Sequence, residues 1–166
     1  RSALILGGNR TPFAKAGGPY AAASSLDLLT AALDGLVARH GLAGCRLDEV
    51  AGGAVLKHTR DFNLTREVVL GSRLDPHTPA YDIQQACGTG LEAAILVANK
   101  IALGQIEVGI AGGVDTTSDA PLAVNEELRR TLLQLNSART LGERLKIAAK
   151  LRPHQPFKPE LPRNAE

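Results

Sequence analysis

Cys87 is the residue whose type and setting most clearly suit chemistry. It falls where a strand-like run ending near Gln85 meets a long apolar run with helical character. The first N–H groups of a helix lack intrahelical acceptors, and the helix dipole is positive at that end. Both effects favour a nucleophilic cysteine. The residues that follow, Gly88, Thr89 and Gly90, are small. They would let a carbonyl approach the sulfur and leave N–H groups free to receive an oxyanion. The competing reading is a buried, inert cysteine that only fills space.

The other candidates carry less. Cys45 lies in a loop, Gly41-Leu-Ala-Gly-Cys-Arg46, and reads as incidental. Two cysteines make neither a disulfide framework nor a metal site. His58 and His154 read as exposed loop histidines, with His58 able to reach a partner's surface; His40 and His77 complete the set. Asp115 and Asp119 bracket a turn and are expected to bond local backbone. Gly7-Gly8 lacks a further glycine at dinucleotide spacing, which argues against a nicotinamide site.

Three segments together carry a family resemblance. Gln85-Ala-Cys-Gly-Thr-Gly-Leu-Glu-Ala93 resembles the nucleophile motif of the thiolases. Asn9-Arg-Thr-Pro-Phe-Ala-Lys-Ala-Gly-Gly18 resembles their opening signature. Ala111-Gly-Gly-Val-Asp-Thr-Thr-Ser-Asp-Ala-Pro121 resembles their Ala-Gly-Gly…Ser-X-Ala-Pro segment. The three occur in family order and span the chain from its first strand onward. Thr89 and the Asp115–Asp119 run resemble the 3-ketoacyl-CoA thiolases of fatty-acid degradation (β-oxidation) more than the short-chain biosynthetic enzymes.

That resemblance implies an acyltransferase that cleaves 3-ketoacyl-CoA, or runs the reverse Claisen condensation, through an acyl-enzyme on Cys87. It implies that the Cys87 N–H contributes to an oxyanion hole and that Gly88 lines the substrate site. It implies no cofactor and no metal, coenzyme A being a substrate. The partners implied are acyl-CoA and coenzyme A, a homodimer or tetramer, and a hydratase/dehydrogenase subunit as a candidate companion. Asn63 and Arg66 match a polar stretch that lies by the family's dimer contact; a plain surface salt bridge is the alternative.

The sequence also departs from the family. Thiolases carry a second, similar domain that holds an activating His, an Asn-bound water and a second Cys acting as acid and base. None of those motifs is present here. The expectation is a fragment that is inactive alone. It comprises an N-terminal domain over residues 1–119 and the beginning of a loop domain over 120–166, with the C-terminal domain absent. Two other readings stand beside it: a β-ketoacyl synthase, and a non-catalytic thiolase-fold lipid-binding or assembly subunit.

The elements that must position Cys87 follow from periodicity and punctuation. Residues 2–7 read as a buried strand and residues 9–19 as a loop. A helix capped by Ser24 or Ser25 carries a stripe of Leu26, Leu29, Leu33, Leu36 and Val37 and stops at Gly41. Strands are expected at 50–56, 80–85 and 106–111, and a short helix at 64–70. The run from Cys87 to Leu103 reads as a helix apolar nearly all round, hence buried on most sides. Asn125 would cap a helix with stripe Leu128, Leu132 and Leu135, and Thr140 with Glu143 forms a capping-box pattern. Four prolines between 152 and 162 predict an extended segment. This order predicts an α/β fold: a layered mixed sheet of thiolase type with helices on both faces, followed by a helical insertion.

Composition sets outer bounds. The 166 residues suit one domain plus an excursion. Aromatics are 3% with no Trp or Met, so aliphatic side chains must fill the core. A net charge of +2, scattered along the chain, argues against nucleic acid. No run is long and apolar enough for a membrane span. The opening lacks an initiating Met and is too short for a signal-peptide core, which implies a trimmed N-terminus and a reducing cytoplasm as the compartment.

Overall fold

The computed structural model describes residues 1–151. The elements, in order, are α1 (Ser25–His40), β1 (Glu49–Gly52), α2 (Leu64–Gly71), β2 (Ala80–Asp82), α3 (Thr89–Ala102), β3 (Gly109–Ala111), α4 (Glu126–Ser137) and α5 (Leu141–Ala148). The chain divides into two compact units, the first from Arg1 to Ala120 and the second from Pro121 onward.

In the first unit the three strands form a sheet in the order β2-β1-β3, and both pairings are parallel. Side chains alternate across a strand, so neighbours on β1 serve opposite faces. Val50 joins Leu33 and Val37 of α1 and Leu64, Val68 and Val69 of α2 in one core. Ala51 joins Ala93 and Val97 of α3 in another. The sheet is therefore covered by α1 and α2 on one side and by α3 on the other, the expected α/β layering. The described sheet is wholly parallel rather than mixed.

The start and stop signals work as the sequence implied. Ser24 Oγ accepts from Asp27 N–H at 3.1 Å, and the Asp27 carboxylate accepts from Ser24 N–H at 2.9 Å. Gly41 ends α1 in the left-handed region at φ 65°. Leu28, absent from the expected stripe, is buried beside Leu33 and Val37, whereas Leu26 and Leu29 are only partly covered. In the second unit Asn125 caps α4, and Thr140 with Glu143 closes a capping box on α5. Leu128 is buried, but Leu132 is exposed. Arg129 and Arg130 both bond Glu126 and pull its carboxyl down to about 2. The proline-rich segment and His154 lie outside the described residues.

Three expectations are corrected. Residues 2–7 form no strand: Leu4, Ile5 and Leu6 are 76%, 96% and 80% exposed. Strand composition is only a preference until a neighbouring strand accepts the backbone hydrogen bonds, and neither edge of the sheet pairs with this segment. It is fastened instead by its ends, through Arg1 N to Ala102 O at 3.1 Å and Arg39 to Gly8 O at 2.9 Å. Second, α3 is buried on one face only, because Leu91 and Ile95 are exposed opposite Ala93 and Val97. Third, the strands are three or four residues long, since β1 and β2 hand the last residues of their runs to a loop and β3 the first.

Both ends of the sheet carry a charge lock. At one end Glu49 is buried, bonds Lys100 of α3 and accepts from Tyr81 Oη at 3.2 Å. At the other, Asp82 closes β2 and accepts from the N–H groups of Leu64 (3.1 Å) and Thr65 (2.7 Å) at the start of α2. Its carboxylate also pairs with Lys57. Burial works to raise the Asp82 pKa, but the bonds from Lys57 and Thr65 outweigh it and hold the group below its ordinary 3.8. A carboxylate whose folded pKa is depressed stabilises the fold above its ordinary pKa and stops doing so as pH falls through the folded value. Asp82→Asn is therefore expected to cost about 2 kcal/mol at pH 7 and progressively less in acid. Urea titrations of both proteins at pH 7 and near pH 3 check this; an unchanged gap would refute the lock.

Candidate active site

Parallel strands present their C-terminal ends on one side of a sheet, where α/β folds gather ligands and chemistry. Here three loops leave from that side. They follow Gly52 of β1, Asp82 of β2 and Ala111 of β3, and Cys87 lies on the second.

The loops are bonded to one another. Ile83 N donates to Gly52 O at 2.7 Å, Gly112 N to Ala51 O at 3.0 Å and Val114 N to Gly53 O at 3.0 Å. Asp115 Oδ1 accepts from Val55 N at 3.0 Å and Leu56 N at 2.8 Å. Gln84 Nε2 reaches Val55 O at 3.3 Å. Their backbones touch, and glycine makes that contact possible. A Cβ at position 53 would lie 2.0 Å from Ile83 O, and one at 113 would meet Gly53 O at 3.3 Å and Gly90 Cα at 3.5 Å. The start of α3 is thus seated directly on the loops after β1 and β3.

Between Asp82 and α3 the chain turns sharply. Ala86 has φ 44°, the one non-glycine residue with positive φ among the described residues. Such a conformation costs about 1–3 kcal/mol and persists only where its surroundings enforce it. Gly88 N donates to Gln85 O at 2.9 Å and Thr89 N to Ala86 O at 3.2 Å, closing the bend. Cys87 stands at its tip and is exposed, which overturns the alternative of a buried packing cysteine. The helix begins two residues later than expected, at Thr89, with Gly88 as its cap residue. Gly88 has no side chain to cap the helix, and the N–H groups of Cys87, Gly90 and Leu91 have no acceptor among the described residues. An exposed sulfur beside several unpaired N–H donors can attack a carbonyl and hold the oxyanion that results.

The remaining candidates have other employment. Cys45 is also exposed, in a loop whose backbone bonds Leu42 and Asp75. His58 is not a free loop histidine: Nε2 lies 3.0 Å from Asp119 O and 3.1 Å from Asp119 Oδ2. Arg60 reaches the same carboxylate at 3.3 Å. His77 Nδ1 lies 2.8 Å from Asp75 Oδ1. Asp115 and Asp119 were expected to bond local backbone, yet both bind the loop after β1 some sixty residues away in sequence. Asn63 caps α2, and Arg66 donates to Thr78 O and Pro76 O at 2.8 Å each rather than to a carboxylate among the described residues. Sequence reasoning missed Asp82 and Asp115 as builders of this site. The one signal available was their place at or just beyond strand ends.

Residues 3–146 match the family described as thiolase, N-terminal domain. The chain is 40% identical over 148 residues to a 3-ketoacyl-CoA thiolase of Serratia proteamaculans, and 40% identical over 148 residues to one of Yersinia enterocolitica. Each match covers 89% of this chain and 34% of the relative. Among solved structures, the Bacillus anthracis acetyl-CoA acetyltransferase superposes with a TM-score of 0.70 at 30% identity, over 76% of this chain and 32% of that one. The chain spans about a third of the length of the relatives it matches. The family model covers most of the chain, so the chain belongs to the thiolase family, in the region of its N-terminal domain.

Proposed function

We propose that this chain supplies the nucleophile half of a 3-ketoacyl-CoA thiolase, with Cys87 as the acyl-carrying residue. The observation that carries the proposal is the exposed Cys87 on a strained bend, among unpaired N–H groups at the start of α3. The Cys87 thiolate attacks the 3-keto carbonyl, and its own N–H receives the oxyanion. The C2–C3 bond then breaks. Acetyl-CoA leaves as an enolate and is protonated, while the acyl group stays on sulfur as a thioester. Coenzyme A, as thiolate, takes that acyl group and frees Cys87. The reverse sequence is a Claisen condensation. Gly88 lines the substrate side of the bend in this proposal, and the reaction uses no cofactor or metal.

The acid and base lie outside this region in our reading. His58 and His77 are tied to Asp119 and Asp75. The exposed Leu91 and Ile95 of α3, and Leu4, Ile5 and Leu6, are the surfaces that the remainder of the enzyme would cover. We read residues 1–119 as the N-terminal domain and 120–166 as the start of the loop domain. Among the described residues no strand pairs with the outer edge of β2. An unpaired edge invites pairing with a second copy, so we propose a dimer or tetramer of the whole enzyme, open to a hydratase/dehydrogenase partner. Two free cysteines suit a reducing cytoplasm. Among the described residues no helix is long and apolar enough to cross a membrane.

Four outcomes are expected. Incubating the full-length enzyme with an acyl-CoA should add one acyl mass, mapped to Cys87. Limiting iodoacetamide should label Cys87 before Cys45, and the reverse order would remove Cys87 from its role. Sedimentation of the full-length enzyme at micromolar concentration should show at least a dimer; a stable monomer speaks against pairing through β2. Residues 1–166 expressed alone should fold without measurable thiolysis, because a helix N-terminus offers roughly 1 kcal/mol and cannot replace an acid and a base. Turnover near that of the full-length enzyme would locate both groups within this chain.

A further inference from the structure

The bend that carries Cys87 is held by one side chain. Thr89 is buried, and its hydroxyl makes two bonds to the residues just before the nucleophile. Oγ1 accepts from Gln85 N at 2.9 Å and donates to Ala86 O at 2.8 Å. A hydroxyl has one proton to give, so these two bonds fix its orientation completely. A threonine in the first turn of a helix commonly bonds one nearby backbone group. Here the hydroxyl instead spans the strained residue, with one bond on Ala86 itself and one on the residue before it. Ala86 at φ 44° has no glycine's freedom to adopt that shape, so something else must enforce it. The other half of the side chain has a separate task. The Thr89 methyl, Cγ2, lies 3.2 Å from where a Cβ on Gly53 would be, and so seats the bend on the loop after β1.

We propose that Thr89 is the positioning residue of the nucleophile: its hydroxyl clamps the Gln85–Ala86 backbone so that Cys87 and its free N–H are presented together. This deepens the acyl-transfer reading above and rests on it. The hydroxyl and the methyl make distinguishable predictions. Valine keeps the shape of threonine and loses the hydroxyl, whereas serine keeps the hydroxyl and loses the methyl.

The test uses full-length enzyme and four proteins: wild type, Thr89→Val, Thr89→Ser and Cys87→Ala. Steady-state thiolysis, the rate of Cys87 alkylation by iodoacetamide and Tm are measured for each, alkylation being omitted for Cys87→Ala. Thr89→Val is expected to lower kcat about tenfold or more with KM little changed, and to slow alkylation, since donor and sulfur lose their fixed relation. Thr89→Ser is expected to keep kcat within about threefold while lowering Tm through the lost methyl contact. If kcat follows Tm across the two variants, Thr89 is only structural and the proposal falls. Full activity in Thr89→Val with an inactive Cys87→Ala also overturns it, while leaving the nucleophile in place. Turnover in Cys87→Ala overturns the acyl-enzyme reading itself. Should Thr89→Val not fold, Thr89→Ala against Thr89→Ser isolates the hydroxyl, and equal kcat in that pair refutes the clamp.

Discussion

The site depends on one constraint: three loop backbones must meet without side chains between them. Gly53 lies against Ile83 O and the Thr89 methyl, and Gly113 lies against Gly53 O and Gly90. Any Cβ at position 53 would collide with backbone, which cannot rotate away as a side chain can. Because the loops after β1 and β3 touch the start of α3, the helix cannot shift along the sheet without breaking those contacts. The position of Cys87 relative to the strand ends is therefore set by these backbone contacts together with the bonds of the Thr89 hydroxyl. That suits a nucleophile, since misplacement by about 1 Å can cost roughly two orders of magnitude in rate.

Polar residues secure what the glycines bring close. Asp82 binds the N-terminus of α2 and Lys57, and Asp115 binds the two N–H groups of Val55 and Leu56. Asp119 binds His58 and Arg60 on the same loop after β1. That loop has little regular structure of its own, and its backbone donors would otherwise need water. Asp115 satisfies two of them, at Val55 and Leu56, and so helps to fix the segment beside the bend. The Glu49–Lys100 pair does similar work at the opposite end of the sheet, holding the C-terminal half of α3.

Local signals in the sequence were legible where the physics is local. Ser24 with Asp27, Asn125, and Thr140 with Glu143 cap helices because a cap needs only residues three apart, and Gly41 stops α1 for the same reason. The bend at Cys87 could be read from a strand run meeting a helix run. What could not be read is what depends on distant partners. Residues 2–7 have the composition of a strand but no neighbour to pair with among the described residues. The composition of α3 promised burial all round, yet a helix is buried only where something packs, and among the described residues Leu91 and Ile95 stay exposed. Asp115 and Asp119 looked like turn formers because a sequence shows only near neighbours, while their bonds reach across some sixty residues.

The strain at Ala86 connects these observations. A residue with positive φ and a Cβ is unfavourable by itself, so the bend must be stabilised by what surrounds it. Two backbone bonds close it, the Thr89 hydroxyl spans it, and the glycine contacts of Gly53 and Gly90 press it against the sheet. All of these lie within the first unit of this chain. In the proposed reaction this chain would supply the setting of the nucleophile, and the groups that move protons would come from elsewhere. Such a division is physically reasonable. Holding a sulfur and an N–H in fixed relation needs rigid backbone and can be built within one sheet. Proton transfer needs groups on the far side of the substrate, which a single sheet end facing solvent does not reach.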